Sequence, residues 1–406
     1  MNPEADNLEQ KRALRQAQKQ KQKKKKQIRL LIIIGAVVLL IAMIFIIKGC
    51  QSYQEEQQQK QENPKTVVRI AAAGDLNVND AVVASGGDTY DYRYAFQDIL
   101  HLLSDADVTV INFEGNLVGA PYGTEERSAP QELMTALNEA GVDLVQLANS
   151  YSIYNGITGL SRTISGVRAA GMEPLGAYAT EQDFEESGGY TIVDVQGVRI
   201  AFVAFTKGMD GMTLPRGSEN CVNVLYEDYD STYHSVDTDK INSILDAADG
   251  EDPDAVVVML HWGSEFNDTI STSQNTILEL LQERGVDAII GTHSHYVQQM
   301  VYDEAKGTFL AYSLGDMFSD AQRGGTEYSA ILELEITKDE ITGDTKVTGF
   351  DYTPIFSVAE AGKPMRILRI REAMAAYDAN FINAVSQSTY DKMKYALERI
   401  EARIKG

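Results

Sequence analysis

Between residues 67 and 316, short runs rich in β-branched and small apolar residues recur, separated by stretches with helical periodicity. This alternation restricts the fold more than any other feature of the sequence. The runs are VVRIAAAGD (67–75), VTVINFE (108–114), DLVQLAN (143–149), VRIAFVAF (198–205), DAVVVMLHW (254–262), DAIIGTHSH (287–295) and TFLAYSLGD (308–316). Helices are predicted over 92–103, 130–140, 158–170, 238–248 and 272–284. Gly141, Gly171 and Gly285 stand at helix C-terminal ends, where left-handed backbone is wanted. Strands and helices in this order specify an α/β fold with a substantially parallel sheet. Residues 328–355 read as a terminal hairpin, and the tail from Arg369 to Gly406 has helical periodicity without catalytic-looking residues.

Ahead of this region lies LLIIIGAVVLLIAMIFII (30–47), apolar and uncharged, long enough as a helix to match the hydrocarbon core of a bilayer. The basic run KQKQKKKKQIR (19–29) precedes it. Residues 1–48 hold 11 Lys and Arg against 3 Asp and Glu, and the remainder holds 25 against 56, so the two parts carry +8 and −31. A basic flank stays cytoplasmic, which predicts a single-pass plasma-membrane protein with the N-terminus inside and the acidic part extracellular. The apolar run exceeds the usual core of a signal peptide, and no small-residue cleavage site follows it. Lys48 makes Cys50 a poor lipidation site. With Cys221 the only other cysteine, no disulfide framework is available. The expected organisation is a basic tail (1–29), a transmembrane helix (30–48), a polar Gln-rich linker (49–65), a folded domain (66–360) and a helical C-terminal extension (361–406).

Ligands of open α/β sheets gather beyond the carboxyl ends of the strands. Asp75 ends the first run, Glu114 the second, His261 the fifth, and His293 with His295 the sixth. Two carboxylates and three imidazoles suit a divalent transition metal such as Mn, Fe or Zn, and a shared carboxylate would serve a pair of ions. If the H-x-H segment is extended, both imidazoles point to one face. Taken singly, such residues are more often turn or core groups. Three of the chain's five histidines at two strand ends point to a polar or metal site.

The stretches GDLNVND (74–80), VINFEGNL (110–117), AGVDLVQLAN (140–149), MLHWGSEF (259–266), GVDAIIGTHSHYVQ (285–298) and AYSLGDMF (311–318) resemble the successive motifs of the CapA family. These are poly-γ-glutamate capsule biosynthesis proteins of the calcineurin-like metallophosphoesterase superfamily. The resemblance implies a four-layer α/β/β/α metallophosphatase-like sandwich with a site for one or two divalent ions. By correspondence, Asp75 is a first-ion ligand, Glu114 the bridging carboxylate, His261 a second-ion ligand, and His293 and His295 the final imidazoles. Asn77 would add an amide oxygen, while Asn149, Glu265 and Asp316 would line the site.

The stretch ANSYSIYNG (148–156) departs from the family's A-N-N-H-x-x-D-Y-G. Ser150 stands where a metal-binding Asn is expected, Tyr151 where the catalytic His would be, and Asp316 where the motif carries Asn. A phenol with an ordinary pKa about 10 is a poor acid–base catalyst at neutral pH. The resemblance therefore implies a degenerate site in a protein that makes, exports or retains an anionic surface polymer, beside a polymer synthetase and a small membrane protein. A working extracellular phosphoesterase and a metal-free scaffold are the alternatives. The −31 charge would repel such a polymer unless cations or a local basic pocket intervene, and no nucleic-acid partner is expected.

Overall fold

The computed structural model describes residues 63–406 apart from 321, 322 and 383, and ahead of them only Lys24, Lys25, Ile41, Met43, Ile44, Ile46, Ile47 and Lys48. The basic tail, the expected membrane helix and the linker therefore lie almost wholly outside the described residues. Among the described residues no helix is long and apolar enough to cross a membrane.

The run at 67–75 forms β1 (Lys65–Asn77), which sits inside an eight-stranded sheet. On one side β1 pairs in parallel with β2 (Val108–Glu114), followed by β3 (Leu144–Gln146) and β4 (Glu173–Leu175). On the other side it meets β12 (Tyr328–Asp339) antiparallel, then β13 (Thr345–Val358) and β14 (Arg366–Arg369). β11 (Asp316–Phe318) pairs in parallel with the end of β1. A second sheet has six strands. Their order is β5 (Thr191–Val195), β6 (Val198–Thr206), β7 (Ala255–His261), β8 (Ala288–Thr292), β10 (Thr308–Ala311) and β9 (Met300–Asp303). β6, β7, β8 and β10 run parallel, and both edges are antiparallel. Both sheets are thus mixed.

Burial on both faces explains why the parallel strands read as continuous apolar runs. Val68, Ile70 and Ala72 of β1 share a buried cluster with Ile200, Phe202, Val257, Met259 and Ile290 of the second sheet. On the opposite face, Ile111, Phe113 and Val145 pack with Leu133 and Leu137 of helix 131–139 and with Leu160 and Ile164 of helix 156–169. The second sheet turns Val203, Phe205, Val258 and Leu260 to helices 238–249 and 272–283, where Ile241, Leu245, Ile277 and Leu281 meet them. Helix, sheet, sheet and helix follow one another in space.

Several predicted elements change at their ends. The expected helix 92–103 is two short helices, Arg93–Phe96 and Leu100–Ser104, because the chain turns at Ile99 (φ −110°, ψ 0°) to bury Phe96, Ile99 and Leu103 together. The expected strand 308–316 is two strands in different sheets, since β10 stops at Ala311 and β11 begins at Asp316. β4, β5, β9 and β14 were not anticipated. β5 and β6 are joined at Gln196 and Gly197, both left-handed (φ 54° and 81°), a hairpin turn of the two-residue kind. Residues 361–406, set apart in the sequence, supply β14 and two helices, 370–378 and 387–405. Leu368, Ile370, Met393, Ala396 and Ile400 lie in the same cluster that the two sheets share.

Candidate metal centre

The centre forms where β1, β2, β7 and β8 end, and a bulge in β1 at Gly74 begins it. A side-chain carbon at Gly74 would lie 1.7 Å from Gly315 O, so only glycine admits β11 there. Asp75 N then donates to Gly315 O at 2.9 Å, and Asp75 and Asp316 become neighbours across β1 and β11.

Two groups of ligand atoms result. Glu114, His261 and His293 form one, Asp75, Glu114 and His295 the other, each with its atoms within 4.8 Å of one another. Glu114 belongs to both. In the first group His261 Nε2 lies 2.9 Å from His293 Nδ1 and 3.0 Å from Glu114 Oε1, and Ser150 Oγ lies 3.1 Å from the same His261 nitrogen. In the second, His295 Nδ1 lies 3.8 Å from Asp75 Oδ2 and 2.7 Å from Asp316 Oδ1.

The two histidines of the H-x-H segment reach different groups, which corrects the expectation of an extended segment facing one way. β8 ends at Thr292, and His293 and His295 adopt left-handed backbone with φ of 86° and 59°. Each turn re-aims one ring. Such conformations cost roughly 1–3 kcal/mol apiece and persist where surrounding structure over-determines them. Here His293 N donates to Asp75 Oδ2 at 3.1 Å, and Phe266 stacks on the His295 ring at 4.8 Å.

The other predicted residues divide into neighbours and supports. Asn77 turns its amide nitrogen to Glu114 Oε2 at 3.2 Å, and its oxygen accepts from Arg127 Nη1 at 3.0 Å, so that oxygen is engaged away from the carboxylates. Asn149 donates to Asn112 Oδ1 and Phe113 O, and accepts from Tyr151 N, which holds the 149–151 turn in place. Tyr151 is half-buried under Arg127, and Glu265 is exposed at the mouth.

Sequence reasoning missed three contributors. Asn112 donates to Asp75 Oδ1 at 2.6 Å, and Thr292 Oγ1 lies 3.1 Å from His261 Nδ1, which leaves Nε2 for the cluster. A polar residue inside an otherwise apolar strand was the available signal for Asn112. Lys207, whose backbone N donates to His261 O at 2.8 Å, had none.

Burial sets the electrostatics. It pushes the Asp75 carboxyl up to about 7, with Glu114 adding repulsion, and lifts Glu114 to about 7 as well. Burial lowers His261 to about 4 and His293 well below its usual range. His295 goes the other way: burial opposes its charge, but Asp316 beside it raises it to about 10. Burial also holds the Tyr151 phenol above its ordinary value.

This donor set fits a divalent cation. Imidazole nitrogens and carboxylate oxygens converge here, and Glu114 Oε1 and His293 Nε2 have no hydrogen-bond partner although buried. A cation at the focus would satisfy both atoms. A cavity of about 550 Å³ between helix 100–104 and strands β1, β12 and β13 contains none of these residues. Ligand chemistry, rather than cavity size, marks the site.

The profile of the family described as "Bacterial capsule synthesis protein PGA_cap" matches residues 69–321, which include every residue of the centre. The capsule biosynthesis protein CapA of Bacillus anthracis is 25% identical over 314 residues, 75% of this chain and 72% of that protein. The PGA biosynthesis protein CapA of Bacillus subtilis is 25% identical over 265 residues, 63% of this chain and 64% of that protein. Among solved structures, a calcineurin-like phosphoesterase from Bacillus subtilis aligns over 84% of this chain and 98% of its own, with 14% identity and a TM-score of 0.45. The fold is defined by this chain's own strand order and burial.

Proposed function

This chain belongs to the bacterial capsule synthesis protein family PGA_cap, and on that footing we propose that it acts in the synthesis, export or retention of an anionic surface polymer such as poly-γ-glutamate. In this reading it is anchored in the plasma membrane by residues 30–48, with the domain outside the cell. It works beside a polymer synthetase and a small membrane protein. Relatives named as capsule and PGA biosynthesis proteins support the polymer. The observation that carries a metal-dependent role is the Glu114 carboxylate shared by two buried histidine–carboxylate groups.

Asp75, Glu114, His261, His293 and His295 would hold one or two ions of Mn, Fe or Zn. A bound ion would act as a Lewis acid toward an anionic oxygen of the ligand. The remaining chemistry favours holding over cleavage. Tyr151 keeps its proton at neutral pH and can donate a hydrogen bond, but it does not supply a proton as readily as an imidazole. Ser150 brings a hydroxyl to the His261 and His293 nitrogens where the family motif has an amide. Asp316 orients His295 from behind.

Elemental analysis of the purified protein tests the centre. The natural chain is expected to carry a divalent transition metal, and His293→Ala with His295→Ala is expected to lose it and to lower surface polymer in cells. Metal retained by the double variant, or polymer unchanged, ends this reading. An active phosphoesterase is the second reading, favoured by the shared carboxylate, which is what a pair of ions requires. Robust Mn-dependent ester hydrolysis by the natural chain would favour it; if hydrolysis is slow because of the local departures, Ser150→Asn with Tyr151→His should raise it by roughly the 10²–10⁴-fold typical of a restored acid–base group. An unchanged rate would show that the degeneracy is not local to those two positions.

A further inference from the structure

Three cations approach the centre by way of three different ligands, each seated on an aromatic ring. Arg127 lies 4.2 Å over the Tyr151 ring and donates to Asn77, which in turn donates to Glu114. Lys207 Nζ lies 4.6 Å over the Tyr233 ring, and its backbone is bonded to His261. Arg323 lies 3.9 Å over Phe266, the ring that stacks on His295. These separations fall within the range of favourable cation–π contact.

Among the described residues, the side-chain hydrogen bonds of Arg127 and Lys207 go to neutral oxygens. Arg127 donates to Asn77 Oδ1 and Val78 O, and Lys207 to Gly263 O. Arg399 and Arg403 pair with Asp268 instead. Burial lowers the Lys207 pKa although Glu265 and Asp210 oppose the shift. Among the described residues none of the three forms a direct ion pair, although the chain beyond position 48 holds 56 acidic residues against 25 basic ones. Arg127 and Phe266 also hold left-handed backbone (φ 49° and 52°), so strain collects on this rim as it does on the histidines. Rings position the charged groups without consuming their N–H donors.

We propose that Arg127, Lys207 and Arg323 form a basic rim that binds an extended polyanion and lays it across the metal centre. One phosphate or carboxylate would need one such group. Three cations carried on three separate segments can engage several anionic groups of one chain, and they provide the local positive field that lets an acidic protein take an acidic polymer. The identification of that polymer as γ-linked glutamate rests on the function proposed above.

The test is equilibrium binding by the full-length protein, with metal content measured on each sample. The probes are a γ-linked glutamate oligomer, a glycerol-phosphate oligomer and inorganic phosphate. The rim predicts that one oligomer binds far better than inorganic phosphate and that its affinity falls steeply with salt. Arg127→Gln with Lys207→Gln should weaken that oligomer at least about tenfold with metal content unchanged, whereas Arg127→Lys with Lys207→Arg should retain it. Binding of the glycerol-phosphate oligomer alone, lost in the Gln variant, would uphold the rim and overturn the γ-glutamate assignment. Equal binding by the Gln variant and the natural chain, or no binding of either oligomer by the natural chain, would overturn the rim itself.

Discussion

Asp75 and Glu114 are both fully buried within a few ångströms of each other, and each holds its proton to about pH 7 for that reason. A carboxyl whose folded pKa is raised binds protons more tightly folded than unfolded. Its contribution to stability is present at acid pH and is lost as pH rises from about 4 to about 7. A cation needs both groups ionised, so proton and metal compete, and metal affinity should rise over the same interval. Between pH 5.5 and 7.5 we expect Mn or Zn to bind on the order of a hundredfold more tightly. The melting temperatures of loaded and chelated protein should diverge as pH increases. A constant gap across that range would exclude these carboxylates as ligands. At this scale the sequence was legible where residue type is informative: acids and imidazoles at strand ends declared themselves. Arg127 and Lys207 did not, because a single basic residue in a loop looks like any solvated charge until its ring partner is known.

At the scale of elements, the site depends on how strands end rather than on how they run. β1 continues past its bulge only because Gly74 lets Gly315 O approach, and that contact sets Asp75 against Asp316. Gly74→Ala should therefore force β1 and β11 apart. The expected cost is about 1–3 kcal/mol in urea denaturation, as for other overpacked sites, together with weakened metal binding. Full stability and full metal binding in that variant would remove β11 from the account. The run TFLAYSLGD illustrates the limit of reading periods: it reads as one strand, yet it leaves one sheet at Ala311 and joins the other at Asp316. Likewise GTHSH continues β8 in composition but not in backbone, since the bonds that hold His293 come from Asp75, far away in the chain.

For the whole molecule, charge divides the chain into a basic N-terminal part and an acidic remainder, which is the basis for the proposed anchor at 30–48. Protease added to intact cells should then cleave the domain beyond residue 65 and spare an epitope placed at residue 1; protection of both would refute the orientation. The terminal helices matter at this scale as well, because Met393, Ala396 and Ile400 are fully buried in the cluster shared by the sheets. Helical periodicity gave no address for them. What the sequence determined by itself was composition along the chain: where most of the strands and helices of the two sheets lie, where acids and imidazoles stand, and which family's motifs they follow. Tertiary structure alone decided that Glu114 serves two groups, that the neighbouring histidines part company, and that three cations rest on rings around them. The reason is that periodicity and side-chain chemistry are local properties of the chain. Contacts between Asp75 and His293, or Arg323 and Phe266, exist only once separate segments have been folded against one another.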